Sequence, residues 1–244
     1  MLDAEIHSES VHRQRQGKYL GDFVYGANDG IVTTFAVVAG AAGATLSSGV
    51  IIILGLANLI GDGISMGMSN YLSLRSKRDF ERQQRSIEEM EVEKFPEKER
   101  EETREILRKW GIPEAHVEGA LAGVVADKKR WVDLMMRDEL DIIESHVDHP
   151  AKHGVATSLA FFVAGALPLI PYVFHISGSR FLVSIIATAV SLFFVGAART
   201  LVTKMPWFVS GLEMLIVGGV ASGAAYLVGA AVKAFFGIGL QGVL

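Results

Sequence analysis

Charge divides the chain into three blocks. Between Gly30 and Gly61 there is no Asp, Glu, Lys or Arg. From Asp79 to Glu105 more than half of the positions are charged. From Gly154 onward only Arg180, Arg199, Lys204, Glu213 and Lys233 interrupt an apolar sequence. Within that last block, "GVATSLAFFVAGALPLIPYVF" (154–174), "FLVSIIATAVSLFFVGAA" (181–198) and "MLIVGGVASGAAYLVGAAV" (214–232) each have about the 20 residues a helix needs to cross a bilayer. Pro168 and Pro171 kink or end the first of them near its far side, before the loop "HISGS". The small residues from Gly218 to Ala225 suit close helix packing in lipid.

The first block is too long for one span and suits a hairpin, with "TLSSG" (45–49) as its turn. Gly30 to Ala44 reaches only about 22 Å as a helix, against a hydrocarbon core of about 30 Å. The first span therefore runs back through Asp29 towards Asp22. By the same count the second runs on through Asp62, Met66 and Met68. Asp29 lies 16 residues before Thr45, and Met66 lies 16 after Val50. On antiparallel helices they reach one depth. The expectation is an all-α membrane protein with five transmembrane helices and a helical insert between spans 2 and 3. Its segments are a tail (1–18), spans 1 and 2 (19–76), the charged insert (77–150) and spans 3 to 5 (151–244).

Composition agrees with membrane insertion: half of the residues are hydrophobic, and mean hydropathy is +0.34. The net charge of −4 argues against a nucleic-acid partner. Absence of cysteine excludes disulfides and thiolate metal sites. The polar start "MLDAEIHSES" has no apolar signal segment, so the spans themselves are expected to direct insertion. Arg13, Arg15, Lys18, the insert, Arg199 and Lys204 fall on one side, which makes the N-terminus and residues 77–150 cytosolic.

The insert holds the candidate chemistry. Pro96 divides it, and "FPEKEREETREILRKWG" has the marks of a helix opened by Pro96 and ended by Gly111. Glu88 and Glu91 share one helical face, as do Glu99 and Glu102. Two such faces packed together gather four carboxylates suited to a divalent cation. Met135 and Met136 lie four and three residues before Glu139, and a thioether beside a carboxylate favours softer transition metals. A solvated face of ion pairs and a methionine-filled core account for the same patterns. Packing contacts account for Gly61, Gly63 and Gly67. His146, His149 and His153 could bind metal or titrate near neutral pH, and a plain linker fits them as well. Asp29 and Asp62 differ, because a carboxylate within a membrane is costly and is expected to function.

The succession of "DGIVTTFAVVAGAAGA", "DGISMGMSNYLS", a Glu-rich insert and three further spans resembles the vacuolar iron transporter family, over nearly the whole chain. The resemblance implies export of Fe²⁺, and also Mn²⁺ or related ions such as Co²⁺, Ni²⁺ or Zn²⁺, from the cytosol in exchange for protons. It implies a homodimer in a vacuolar or bacterial plasma membrane, with the pathway at the subunit interface and Asp29 and Met66 as the membrane metal site. It implies Glu88, Glu91, Glu99, Glu102, Met135, Met136 and Glu139 as the ligands of the insert. Some members carry a glutamate two turns before the methionine, where this chain has Asn58. Asp62, one turn closer to Met66, is the candidate replacement, so the proton-coupling residue stays open along the pathway Asp22, Asp29, Asn58, Asp62 and Met66.

Two other classes fit the sequence less well. A membrane-anchored metal-binding or sensing protein has no use for intramembrane aspartates. A ferritin-like di-iron oxidase needs Glu-x-x-His pairs on its bundle helices; that spacing occurs here only as Glu9 and His12, in the polar tail.

Overall fold

The computed structural model describes residues 19–143, 149–201 and 205–237, and every regular element among them is a helix. In chain order these are α1 (Leu20–Gly43), α2 (Ser48–Lys94), α3 (Pro96–Lys109), α4 (Glu114–Val125), α5 (Lys128–Asp138), α6 (Pro150–Gly165), α7 (Ile170–Val173), α8 (Arg180–Ala198) and α9 (Trp207–Phe236). Two compact units divide the chain: residues up to Tyr71 with those from Ala151, and Leu72–Pro150.

In the first unit α1 packs against α8 and α9. The hairpin closes where Thr45 adopts φ +56°, and Leu46 N–H donates to Ala41 O at 2.9 Å. Close approach depends on glycine: a Cβ on Gly30 would stand 2.5 Å from the Phe161 carbonyl oxygen. Gly63 and Gly67 similarly abut Phe162 and Ser158, but among the described residues nothing lies within 4 Å of where a Cβ on Gly61 would be, so packing within this chain does not explain that glycine. The third apolar segment breaks where its prolines stand, giving α6, a 3-10 turn over Leu167–Leu169, and α7. The Pro168 carbonyl accepts from Ser184 Oγ at 2.7 Å.

Polarity in this unit is inside out. Thr34, Thr157, Ser184 and Thr188 are buried. Val163, Phe194 and Leu227 are exposed at 71%, 66% and 67%. An apolar outer face over a partly polar interior suits a lipid solvent. Among the described residues, four helical segments are long and apolar enough to cross a membrane: Ser48–Lys94, Pro150–Val173, Arg180–Ala198 and Trp207–Phe236. α1 is 24 residues long and is not among them; it carries Asn28 and Asp29. Its buried residues, among them Ala27, Ile31, Thr34 and Val38, face other helices, so α1 needs less hydrophobicity.

The second unit is built like a soluble domain. Val92, Ile106, Trp131, Val132, Leu134, Met135 and Met136 form one core cluster; Leu107, Val117 and Leu121 form another. Pro96 occupies the first turn of α3, and Gly111 takes φ +81° after its end. Ion pairs Arg104–Glu118 (2.6 Å) and Arg108–Glu114 (2.9 Å) join α3 to α4. Asp127 caps α5 by accepting from the backbone N–H groups of Lys129 and Arg130.

Candidate metal centre

Helical spacing brings carboxylates together inside the second unit. One oxygen each from Glu88 (α2), Glu99 (α3) and Glu139 (after α5) lies within 4.8 Å of the others. Oxygens sharing one transition-metal ion at about 2.2 Å each are separated by at most about 4.4 Å, so a small inward movement suffices. Glu88 and Glu99 are buried and Glu139 is exposed, which gives the cluster an inner wall and an open mouth. Glu91 and Glu102 are half-buried; Glu91 acts electrostatically on all three, and Glu102 on Glu99 and Glu139.

The electrostatics are those of acids packed without enough countercharge. Burial, then repulsion from Glu99 and Glu139, pushes the Glu88 carboxyl up to about 8. Burial and the Glu102 charge raise Glu99, and burial with Glu102 and Glu99 raises Glu139. Glu88 Oε1, Glu99 Oε2 and Glu102 Oε2 are buried with no hydrogen-bond partner among the described residues. Such atoms are costly unless something electropositive satisfies them.

Both methionines are buried in one core cluster, with different neighbours. Met135 is fully buried, and its sulfur lies 3.5 Å from Thr103 Oγ1. That hydroxyl also lies 2.7 Å from the Glu99 carbonyl oxygen and accepts from Trp131 Nε1 at 2.8 Å. Met136 lines a surface cavity of about 540 Å³ with Arg85, Asp133 and Arg137.

In the first unit Asp29, Asn58 and Met66 are half-buried and Asp62 is exposed. The Asp29 carboxylate feels the charge of Asp62. A connected polar group of this unit centres on Asp22. Its Oδ2 lies 2.5 Å from His153 Nδ1, and its Oδ1 accepts from Asn70 Nδ2 at 2.8 Å. Asn70 also donates to Thr157 Oγ1 at 2.7 Å. Tyr19 packs on the buried His153 ring, at 4.7 Å between centroids. His153 is thus held by Asp22 and not grouped with His149, while His146 lies outside the described residues. Sequence reasoning missed this pairing; the available signal was an acid and a histidine in the first turns of two helices ending on one side.

Removing one partner of a buried pair leaves the other uncompensated. Asp22→Ala is expected to lower the stability of the detergent-solubilised protein by about 3 kcal/mol. Asp79→Ala, which breaks an exposed pair with Arg75 at 3.7 Å, should leave the melting curve nearly unchanged. Equal melting temperatures for the two variants would contradict a structural role for the Asp22 network.

Apolar spanning helices joined to an insert with a buried carboxylate cluster define the class, a multi-pass membrane protein equipped with a candidate cation site. Comparison with known proteins narrows it. The sequence pattern of the VIT family matches residues 20–230. The "Vacuolar iron transporter 1" of Oryza sativa subsp. japonica is 31% identical over 235 residues, 94% of this chain and 93% of the rice protein. The "Vacuolar iron transporter" of Toxoplasma gondii is 32% identical over 244 residues, 96% of this chain and 80% of that protein. The Arabidopsis thaliana "Vacuolar iron transporter 1" is 29% identical over 211 residues, 86% and 84% of the two chains. The chain belongs to the VIT family, the vacuolar iron transporters, and is a transporter rather than an enzyme.

Proposed function

We propose that this protein exports Fe²⁺ from the cytosol in exchange for protons, with Mn²⁺, Co²⁺, Ni²⁺ and Zn²⁺ as further candidate ions. In this reading α1 is a fifth span, and the N-terminal tail and residues 77–150 are cytosolic. Glu88, Glu91, Glu99, Glu102, Glu139 and Met135 gather the ion, with Met136 brought in by rotation of its side chain. Asp29 and Met66 carry the ion across, with Asp62, Asn58 and Asp22 along the pathway. The membrane is vacuolar in a eukaryote and the plasma membrane in a prokaryote.

The observation that carries this reading is the Glu88–Glu99–Glu139 cluster, whose buried, unpartnered oxygens are otherwise a pure cost to folding. The mixed donor set, hard carboxylates with a soft thioether, suits a borderline ion such as Fe²⁺ better than Ca²⁺ or Mg²⁺. A proton and a metal ion compete for one carboxylate, and that competition couples their movements.

A homodimer belongs to the same reading. Asp62 is exposed on α2 beside exposed Ile60 and Ile64. A carboxylate facing hydrocarbon is expensive; a second copy over this face removes the cost.

The test is Fe²⁺ flux into proteoliposomes with and without an imposed pH gradient. Flux that grows with the gradient is expected. Flux indifferent to the gradient would remove the antiport, and saturable binding with no flux would favour a membrane-anchored sensor.

A further inference from the structure

Lys98 stands where a cation has little reason to be. It lies in the first turn of α3, whose dipole disfavours positive charge. Its partner Glu102 is four residues C-terminal, the weaker orientation for a helical ion pair. The side chain is 63% exposed, so holding it in one geometry also costs entropy. Its ammonium nonetheless sits 3.0 Å from Glu102 Oε1 and 3.7 Å from Glu99 Oε1. It acts electrostatically on Glu139 too, and Glu91 acts on it. Local helix energetics do not account for this placement; the carboxylate cluster does.

We propose that Lys98 is the built-in competitor of the metal ion: its ammonium occupies the Glu102–Glu99 end of the cluster and must swing out before a divalent ion takes that end. The inference rests on the cluster being the metal centre. Residues 88, 99 and 139 set where the ion sits, and Lys98 sets how tightly it is held. Partial neutralisation by a tethered cation weakens capture and speeds release, which suits a site that passes its ion onward. Exposure lets the side chain move without disturbing the core, since the buried walls at Glu88 and Glu99 belong to α2 and α3 themselves.

The experiment is calorimetric titration of the full-length protein in detergent with Fe²⁺ in anaerobic buffer. The E88Q/E99Q variant identifies the part of the isotherm that belongs to the insert. K98M is expected to bind about tenfold more tightly than wild type at low ionic strength, with the gain shrinking as salt rises. K98R retains the charge and should stay close to wild type. K128M removes a cation paired with Glu93, which is outside the cluster, and should leave the affinity unchanged. K98M within twofold of wild type, or K128M tightening as much as K98M, overturns the role of Lys98 while leaving the metal centre standing. An isotherm unaltered by E88Q/E99Q overturns the metal centre and this inference with it.

Discussion

Asp29→Ala is expected to reduce Fe²⁺ flux in proteoliposomes to the level of protein-free vesicles, with the protein still folded and inserted. Asp29 lies on α1, the helix enclosed by α8 and α9, and is half-buried near Asp62. Two carboxylates that repel in a poorly solvated place are held there at a cost, and a passing divalent cation relieves it. Asp29→Asn keeps the shape and loses the charge, so it should be equally inactive; a purely structural role would leave it active. The backbone at this point does not depend on the carboxylate, since Thr33 Oγ1 bonds the Asp29 carbonyl at 2.8 Å. Asp62→Asn then separates two accounts of proton coupling. If Asp62 stands in for the acid absent at Asn58, flux persists in this variant and loses its dependence on the pH gradient. Wild-type flux in Asp29→Ala would end the assignment of the membrane site.

Much of this was readable from residue order. Counting from the "TLSSG" turn required α1 and α2 to extend through Asp29 and Asp62, and both do. Pro96 and Gly111 marked the ends of α3 because each has a local backbone reason to be there. Helical spacing on either side of Pro96 singles out Glu88 and Glu99, and the fold brings their carboxylates together. Other features depend on contacts that no local pattern encodes. The last apolar segment runs over residues 214–232 in the sequence. α9 begins at Trp207 instead; Pro206 sets its start, and Arg199 pairs Glu213 at 3.1 Å. Asp22 and His153 are separated by 131 residues, so only the packing of α1 on α6 reveals them as one unit. Met136 shares its helix and its core cluster with Met135, yet a rotation of about 100° between neighbours sets Met135 beside Thr103 and Met136 along the surface cavity. Spacing ties Glu139 only to those methionines, and its place beside the glutamates is what the family resemblance implies; it reaches the site from beyond the end of α5.

Raising the pH from 5 to 8 is expected to destabilise the metal-free insert, and a divalent ion is expected to reverse that sign. The Glu88 carboxyl titrates near 8 in the folded protein against an ordinary value of 4.5. The folded state therefore binds this proton more tightly than the unfolded state. Its stabilising contribution is complete below about pH 4.5, falls as pH rises towards 8, and is gone above that. Because the cluster opens to solvent at Glu139, the loss across this window is about 2 kcal/mol, less than full burial would give. Metal requires the deprotonated form, so its apparent affinity should rise about tenfold per pH unit up to 8 for one displaced proton. At a free Mn²⁺ concentration of about 100 Kd the insert should gain about 2.7 kcal/mol, a rise of roughly 10 °C in its melting temperature. Trp131 reports locally, since its buried indole donates to Thr103 beside Glu99. Glu88→Gln mimics the protonated form. Its melting temperature should fall less with rising pH than that of wild type, the remainder coming from Glu99 and Glu139, and it should gain little from Mn²⁺. The assignment fails if wild type and Glu88→Gln share one pH slope, or if Mn²⁺ stabilises both equally, because a carboxylate cluster built for an ion must trade its proton for that ion at Glu88.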